Sequence, residues 1–110
     1  MDIRRYITSA GKDVFGEWLA SLPDRRTAAK VAVRIDRLAA GNFGDCKPLR
    51  DGVWELRIDW GPGYRVYYAM ADRMCVLLLS GGDKRRQTAD VNRAIAYWHD
   101  YQQRSDSHEA

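Results

Sequence analysis

Long apolar runs are missing from this chain of 110 residues. Nothing in it approaches the roughly 18 uninterrupted apolar residues of a membrane span. Met1-Asp2-Ile3-Arg4-Arg5 is followed by no apolar stretch, so no secretory leader is expected, and the cytoplasm is the expected compartment. Cysteine and histidine are scarce, at two each. Cys46 and Cys75 belong to no C-x-x-C pair, and with His99 and His108 they lack the spacing of a zinc site. Cys75 lies in an apolar run, where a thiol packs as a small buried hydrophobe. A serine nucleophile elbow, paired carboxylates at glycosidase spacing and metal-ligand clusters are all absent. No cofactor and no metal are expected.

What remains suffices for one domain with a single core. Hydrophobic residues make up 45% and charged residues 30%, with a formal net charge of +3. That balance alone is weak support for a nucleic-acid partner. Its distribution says more: residues 47–93 hold nine Lys/Arg against six Asp/Glu, and residues 94–110 hold one against three. The basic excess travels with the strand-like segments.

Ile3 to Thr8 reads as a short first strand. From Thr8 or Ser9, Phe15, Trp18, Leu19 and Leu22 recur at helical spacing. Ser21-x-x-Asp24 resembles a capping box, so a second helix begins around Pro23. Ala28, Val31, Ala32, Ile35, Leu38 and Ala39 form its apolar face, and Gly41-Asn42 ends it. Val53–Trp60 alternates apolar and charged residues, the signature of a half-buried strand. Gly61-Pro62-Gly63 turns it into Tyr64–Met70, and Ala71-Asp72 leads to Met74–Ser80, stopped by Gly81-Gly82. Val91, Ala94, Ile95 and Trp98 place a last helix from Thr88 to about Gln103, and a polar tail over 104–110 is expected to be disordered. The fold class is α+β in the order β-α-α-β-β-β-α. An N-terminal helical hairpin packs on a mostly antiparallel four-stranded sheet, followed by a C-terminal helix, within one domain over 1–103.

Pairing centred on Gly61 sets Arg57 opposite Arg65 and Glu55 opposite Tyr67, all on one face. Like charges directly across a strand pair are destabilising. Glu55 and Asp59 are near enough to offset that, so a solvated, ion-paired face is the plain alternative. The functional alternative is a clamp for phosphate, which the planar fork of arginine fits. Gly81-Gly82-Asp83-Lys84-Arg85-Arg86-Gln87 adds cations beside glycines at a helix start, without Walker or dinucleotide spacing. Trp54 and Tyr68 alternate to the core side, while Tyr67 falls beside the arginines, where it or Tyr64 could stack a nucleobase. Arg, Lys, Glu and Tyr without a metal suit RNA transesterification, in which a 2′-hydroxyl attacks the adjacent phosphate.

Lys47-x-Leu49, Gly52-x-Trp54-Glu55-Leu56-Arg57-Ile58, Gly63-Tyr64-Arg65-Val66-Tyr67-Tyr68, Gly81-Gly82-x-Lys84-x-x-Gln87 and Asp90-Val91-x-x-Ala94 together resemble the RelE/HigB superfamily of bacterial toxins. Within it they are most similar to the phage-derived "addiction module killer protein" branch. The resemblance spans residues 1–103 and implies a type II toxin. Such a toxin is an endoribonuclease that cleaves mRNA, commonly on the ribosome, and is silenced by a cognate antitoxin, typically of helix-turn-helix type. It implies that Arg65 contacts the scissile phosphate, that Arg57 is a basic position on the preceding strand, and that Lys84 or Arg85 stabilises developing charge. Glu55 either accepts a proton or orients the arginines. Lys47, Arg50, Tyr67, Arg85 and Arg86 are the candidate RNA contacts. Where several members carry an early tyrosine or His/Tyr pair in the last helix, this chain has Asp90-Val91-Asn92, leaving proton handling to Lys84, Glu55 or Tyr97. A ParE-like gyrase poison and a non-catalytic RNA- or partner-binding module remain as alternative functions.

Overall fold

The computed structural model describes residues 1–109, with side chains through Ser105. The order is β1 (Asp2–Arg5), α1 (Val14–Ala20), α2 (Arg25–Ala39), β2 (Cys46–Pro48), β3 (Trp54–Ile58), β4 (Tyr64–Asp72), β5 (Cys75–Asp83) and α3 (Gln87–Glu109). A 3-10 turn over Lys84–Arg86 joins β5 to α3. The α+β class and the two N-terminal helices agree with the sequence pattern. The sheet has five strands, not four, in the order β1-β5-β4-β3-β2. The added strand, β2, has three residues and no apolar alternation, too short for periodicity to reveal. β1 lies parallel to β5, and every other pair is antiparallel.

Capping decides where the helices start. Asp13 accepts from the Gly16 amide at 3.0 Å and Asp24 from the Thr27 amide at 2.8 Å, each satisfying a donor with no partner in the first turn. The cap of α2 is therefore Asp24, three residues after the Ser21 that the pattern suggested. Residues 8–12 form a turn instead of helix, with Lys12 N–H donating to Thr8 Oγ1. Gly41, at φ +86°, ends α2 as expected. Gly81 and Gly82 stay within β5 and do not stop it.

Both sheet faces are covered. Leu56, Ile58, Val66, Tyr68, Val76 and Leu78 pack against Phe15 of α1 and Val31 and Leu38 of α2. Val53, Tyr67, Ala69, Leu77 and Leu79 pack against Ala94, Ile95 and Trp98 of α3. Tyr6 joins this second cluster, its hydroxyl donating to Asp100 at 2.5 Å. Burial, with that bond, pushes its pKa up to about 12. Arg104 closes the same corner, donating to the Ile7 carbonyl at 2.6 Å and pairing with Asp100 at 2.8 Å. Ala110 and the side chains of 106–109 lie outside the described residues, and with them most of the polar tail expected over 104–110. Cys75 is buried and both cysteines are free thiols. Among the described residues, no helix is long and apolar enough to cross a membrane.

Candidate active site

The β3–β4 register is Arg57↔Arg65 and Glu55↔Tyr67, as pairing centred on Gly61 predicts. Gly61 and Gly63 take φ of +56° and +86°, a backbone that side chains with a Cβ rarely adopt. The resulting turn brings Gly63 next to β5, where its carbonyl accepts from the Lys84 amide at 3.0 Å. Lys84 thereby stands beside Arg65.

One sheet face then meets two fates. α3 begins at Gln87, whose side-chain amide donates to Glu55 Oε1 at 2.6 Å. From that point the helix covers Glu55 and Tyr67, leaving them 1% and 0% exposed. Beyond the helix start, the face is open. There Arg57, Arg65 and Lys84 line a cavity of about 520 Å³ with Asp45, Asp59 and the Gly61-Pro62-Gly63 turn.

Each opposed arginine has its own carboxylate. Arg65 Nε lies 3.3 Å from Glu55 Oε1, within ion-pair range, although its N–H is off the line a hydrogen bond needs. Arg57 makes a forked contact to Asp45 Oδ1, at 3.1 Å from Nε and 2.7 Å from Nη2. Bonding to Asp45 raises its pKa further. Glu55, expected with Asp59 to offset both charges, contacts Arg65 and Gln87 and still acts on Arg57 through space. It is buried and engaged by both Arg65 and Gln87. Asp45 reaches Arg57 only because β2 pairs Cys46 with Leu56, a contact that β3 alone does not signal. Lys84 makes no ion pair and no side-chain hydrogen bond among the described residues, and neither does Asp59. The cavity therefore holds one unpaired ammonium and one unpaired carboxylate. The alternation of β3 placed Asp59 on this face, but not in a cavity with Lys84.

The other candidate RNA contacts scatter. Tyr67 must be corrected: its ring is fully covered by α3 and has no face for a base. Burial, with Glu55 and Asp90 nearby, drives its phenol well above the ordinary value. Tyr64 is likewise 8% exposed and meets Trp18 edge-on. Lys47 is exposed on edge strand β2, opposite Glu55. Arg50 hydrogen-bonds Asn92 at the side of α3. Arg85 points its guanidinium to Asp83 at 3.0 Å, 80% exposed. Arg86 turns away to a separate cleft between α1 and α3, which Tyr97 also lines. Tyr97 stacks on Tyr6 at 5.0 Å, so it stands in the cleft and not with the arginines.

Two comparisons bear on this arrangement. Residues 17–96 match the family model described as phage derived protein Gp49-like (DUF891). An uncharacterized protein of Haemophilus influenzae is 50% identical over 80 residues, covering 73% of this chain and 81% of that protein.

Proposed function

This chain belongs to the Gp49-like family of phage-derived proteins, and from that premise we propose that it is a type II toxin acting as a metal-independent endoribonuclease on mRNA. The observation that carries this reading is the convergence of Arg57, Arg65 and an unpaired Lys84 on one open cavity. Phosphodiester cleavage by the 2′-hydroxyl passes through a phosphorane with added negative charge. Fixed cations in a shaped cavity stabilise that charge without reorganising as it forms. Arg65, held by Glu55, is the preorganised phosphate contact, and Lys84 brings a charge that has no ion-pair partner among the described residues. In the step itself, the 2′-oxygen bonds to phosphorus as its proton passes to Asp59. The P–O5′ bond breaks, and Lys84 is the proton donor for the departing oxygen. The products are a 2′,3′-cyclic phosphate and a 5′-hydroxyl end.

The resembled branch supplies the rest of the reading: mRNA engaged on the ribosome, and a cognate helix-turn-helix antitoxin that silences the enzyme. The test is inducible expression of wild type and Lys84→Ala in a bacterium, following growth together with transcriptome-wide mapping of 5′ ends. Growth arrest with new in-frame 5′-hydroxyl ends, both lost in the variant, supports the reading. Arrest without new ends points to a gyrase poison. RNA binding with neither arrest nor cleavage points to a binding module.

A further inference from the structure

A second cavity, separate from the arginine cavity, opens between α1 and α3 over the last residues of β5, with a volume of about 440 Å³. That is within the usual range of small-molecule sites. Its floor is unusual. β1 stops at Arg5, opposite Leu78, so among the described residues no strand lies on that side of β5 from Leu79 to Asp83. Ser80, 6% exposed, lines the cavity, and its Oγ has no hydrogen-bond partner among the described residues. A buried hydroxyl without a partner is a costly group that a bound polar edge would satisfy.

The two glycines let Trp18 and Asp90 sit directly on the strand. A Cβ on Gly81 would collide with the Trp18 ring, and one on Gly82 with the Asp90 carboxylate. Asp90 is 8% exposed, and its carboxylate makes no hydrogen bond or ion pair among the described residues. Burial raises its pKa, against the opposing pull of Arg93 and Arg86. At the rim, Arg86 and Arg93 also have no ion-pair partner among the described residues. The cavity is therefore polarised. Its buried lining has a carboxyl and a hydroxyl without a partner among the described residues, and its exposed lining carries Arg86 and Arg93 beside Asp83 and the Lys12–Glu17 pair.

We propose that this α1–α3 cleft binds a nucleotide, with the base edge at Ser80 and Asp90 and the phosphate at Arg86 and Arg93. A bare phosphate does not satisfy the buried lining, since Asp90 offers an anion no attraction. A base with an amine or imino donor does, and Trp18 and Tyr97 line the same cavity. Guanidiniums match the phosphate at the rim. The nucleotide is either free or a residue of an RNA chain. The site does not depend on the nuclease reading, because no bond is broken in it.

The experiment is NMR titration of the full chain with AMP, CMP, GMP and UMP, and with a non-cleavable 2′-deoxy trinucleotide. The Gly81 and Gly82 amides and the Trp18 indole serve as reporters. The expected result is saturable shifts at these reporters with at least one mononucleotide. Ser80→Ala should weaken binding about fivefold and Arg93→Ala about tenfold or more, with Arg37→Ala, on α2, at wild-type affinity. Tighter binding of the trinucleotide assigns the site to an RNA chain, and equal binding assigns it to free nucleotide. Both support it. Shifts abolished by Lys84→Ala but kept in Ser80→Ala and Arg93→Ala would place the ligand in the arginine cavity and overturn the proposal. Absence of shifts with every probe, indicating a cleft filled only by water, would overturn it too. Either negative result leaves the nuclease reading standing, since the first puts the ligand in the arginine cavity and the second reports only on the cleft.

Discussion

Glu55 and Arg57 are two residues apart on one strand, face the same way and are opposed by residues of one partner strand, yet their surroundings are opposite. Glu55 and its neighbour Tyr67 lie under α3, where charge survives only by pairing and a ring is core. Arg57, with Arg65 and Lys84, lies past the helix start, facing an open cavity. The difference teaches that strand alternation selects a face, and the layer packed on that face selects a role. Arg65 is the hinge between the halves, its guanidinium 13% exposed and paired with a carboxylate that is 1% exposed.

Arg65→Ala strikes both halves at once and is expected to have the largest effect. It strands Glu55 as an unpaired buried charge, for a destabilisation of about 3–5 kcal/mol by chemical denaturation, and it abolishes cleavage. Adding Glu55→Gln returns much of the stability and none of the activity. If the single variant unfolds at the wild-type denaturant midpoint, the ion pair does not tie the halves together.

Lys84→Ala acts on the open half alone. It lowers the cleavage rate about 10²–10³-fold, while thermal unfolding moves by about 0.5 kcal/mol or less, as for an exposed side chain outside any network. A large loss of stability here would place Lys84 in the scaffold and not in the site.

Asp90→Asn probes the covered half through pH. Burial raises the Asp90 pKa above its ordinary 3.8, so the folded state favours the protonated carboxyl. The stability this contributes is fully present below pH 3.8 and is lost as pH rises through the folded value. The variant, unable to ionise, is expected to gain in melting temperature over wild type as pH rises toward neutrality. A constant difference across that range would mean that Asp90 ionises in the fold as freely as in water.

The smallest effect is expected from Tyr67→Phe. Its hydroxyl is buried with no partner among the described residues, so removal is neutral or stabilising by about 1 kcal/mol at most, and the cleavage rate is unchanged. A strong loss of RNA binding in this variant would return Tyr67 to the interface from which its burial removes it.

Much of this organisation was legible in the sequence. Alternation in Val53–Trp60 and the glycines of the turn were enough to place Arg57 opposite Arg65, because a period of two and a tight turn leave little freedom in register. The apolar spacing of 28–39 and 91–98 gave two helices and their buried faces. Less visible was the partner of Arg57. Asp45 is 12 residues away and reaches it through a three-residue edge strand that has no periodic signal. The fate of Tyr67 was also hidden. A tyrosine alternating with arginines looks like solvent-facing aromatic surface until the first turns of α3 are laid across it.

Local chemistry thus determined most of the elements, β2 excepted, their apolar stripes, the pairing of β3 with β4 and the gathering of cations near the turn, since each follows from interactions among residues close in sequence. Tertiary packing decided what local spacing cannot encode: how far α3 reaches along the sheet, that β1 runs beside β5 and ends before it, and which charges are left without a partner. Those three facts are distances between segments remote in sequence. They separate a buried Glu55 from an open Arg57, and among the described residues they leave Lys84 unpaired at one cavity and Ser80 unsatisfied in the other.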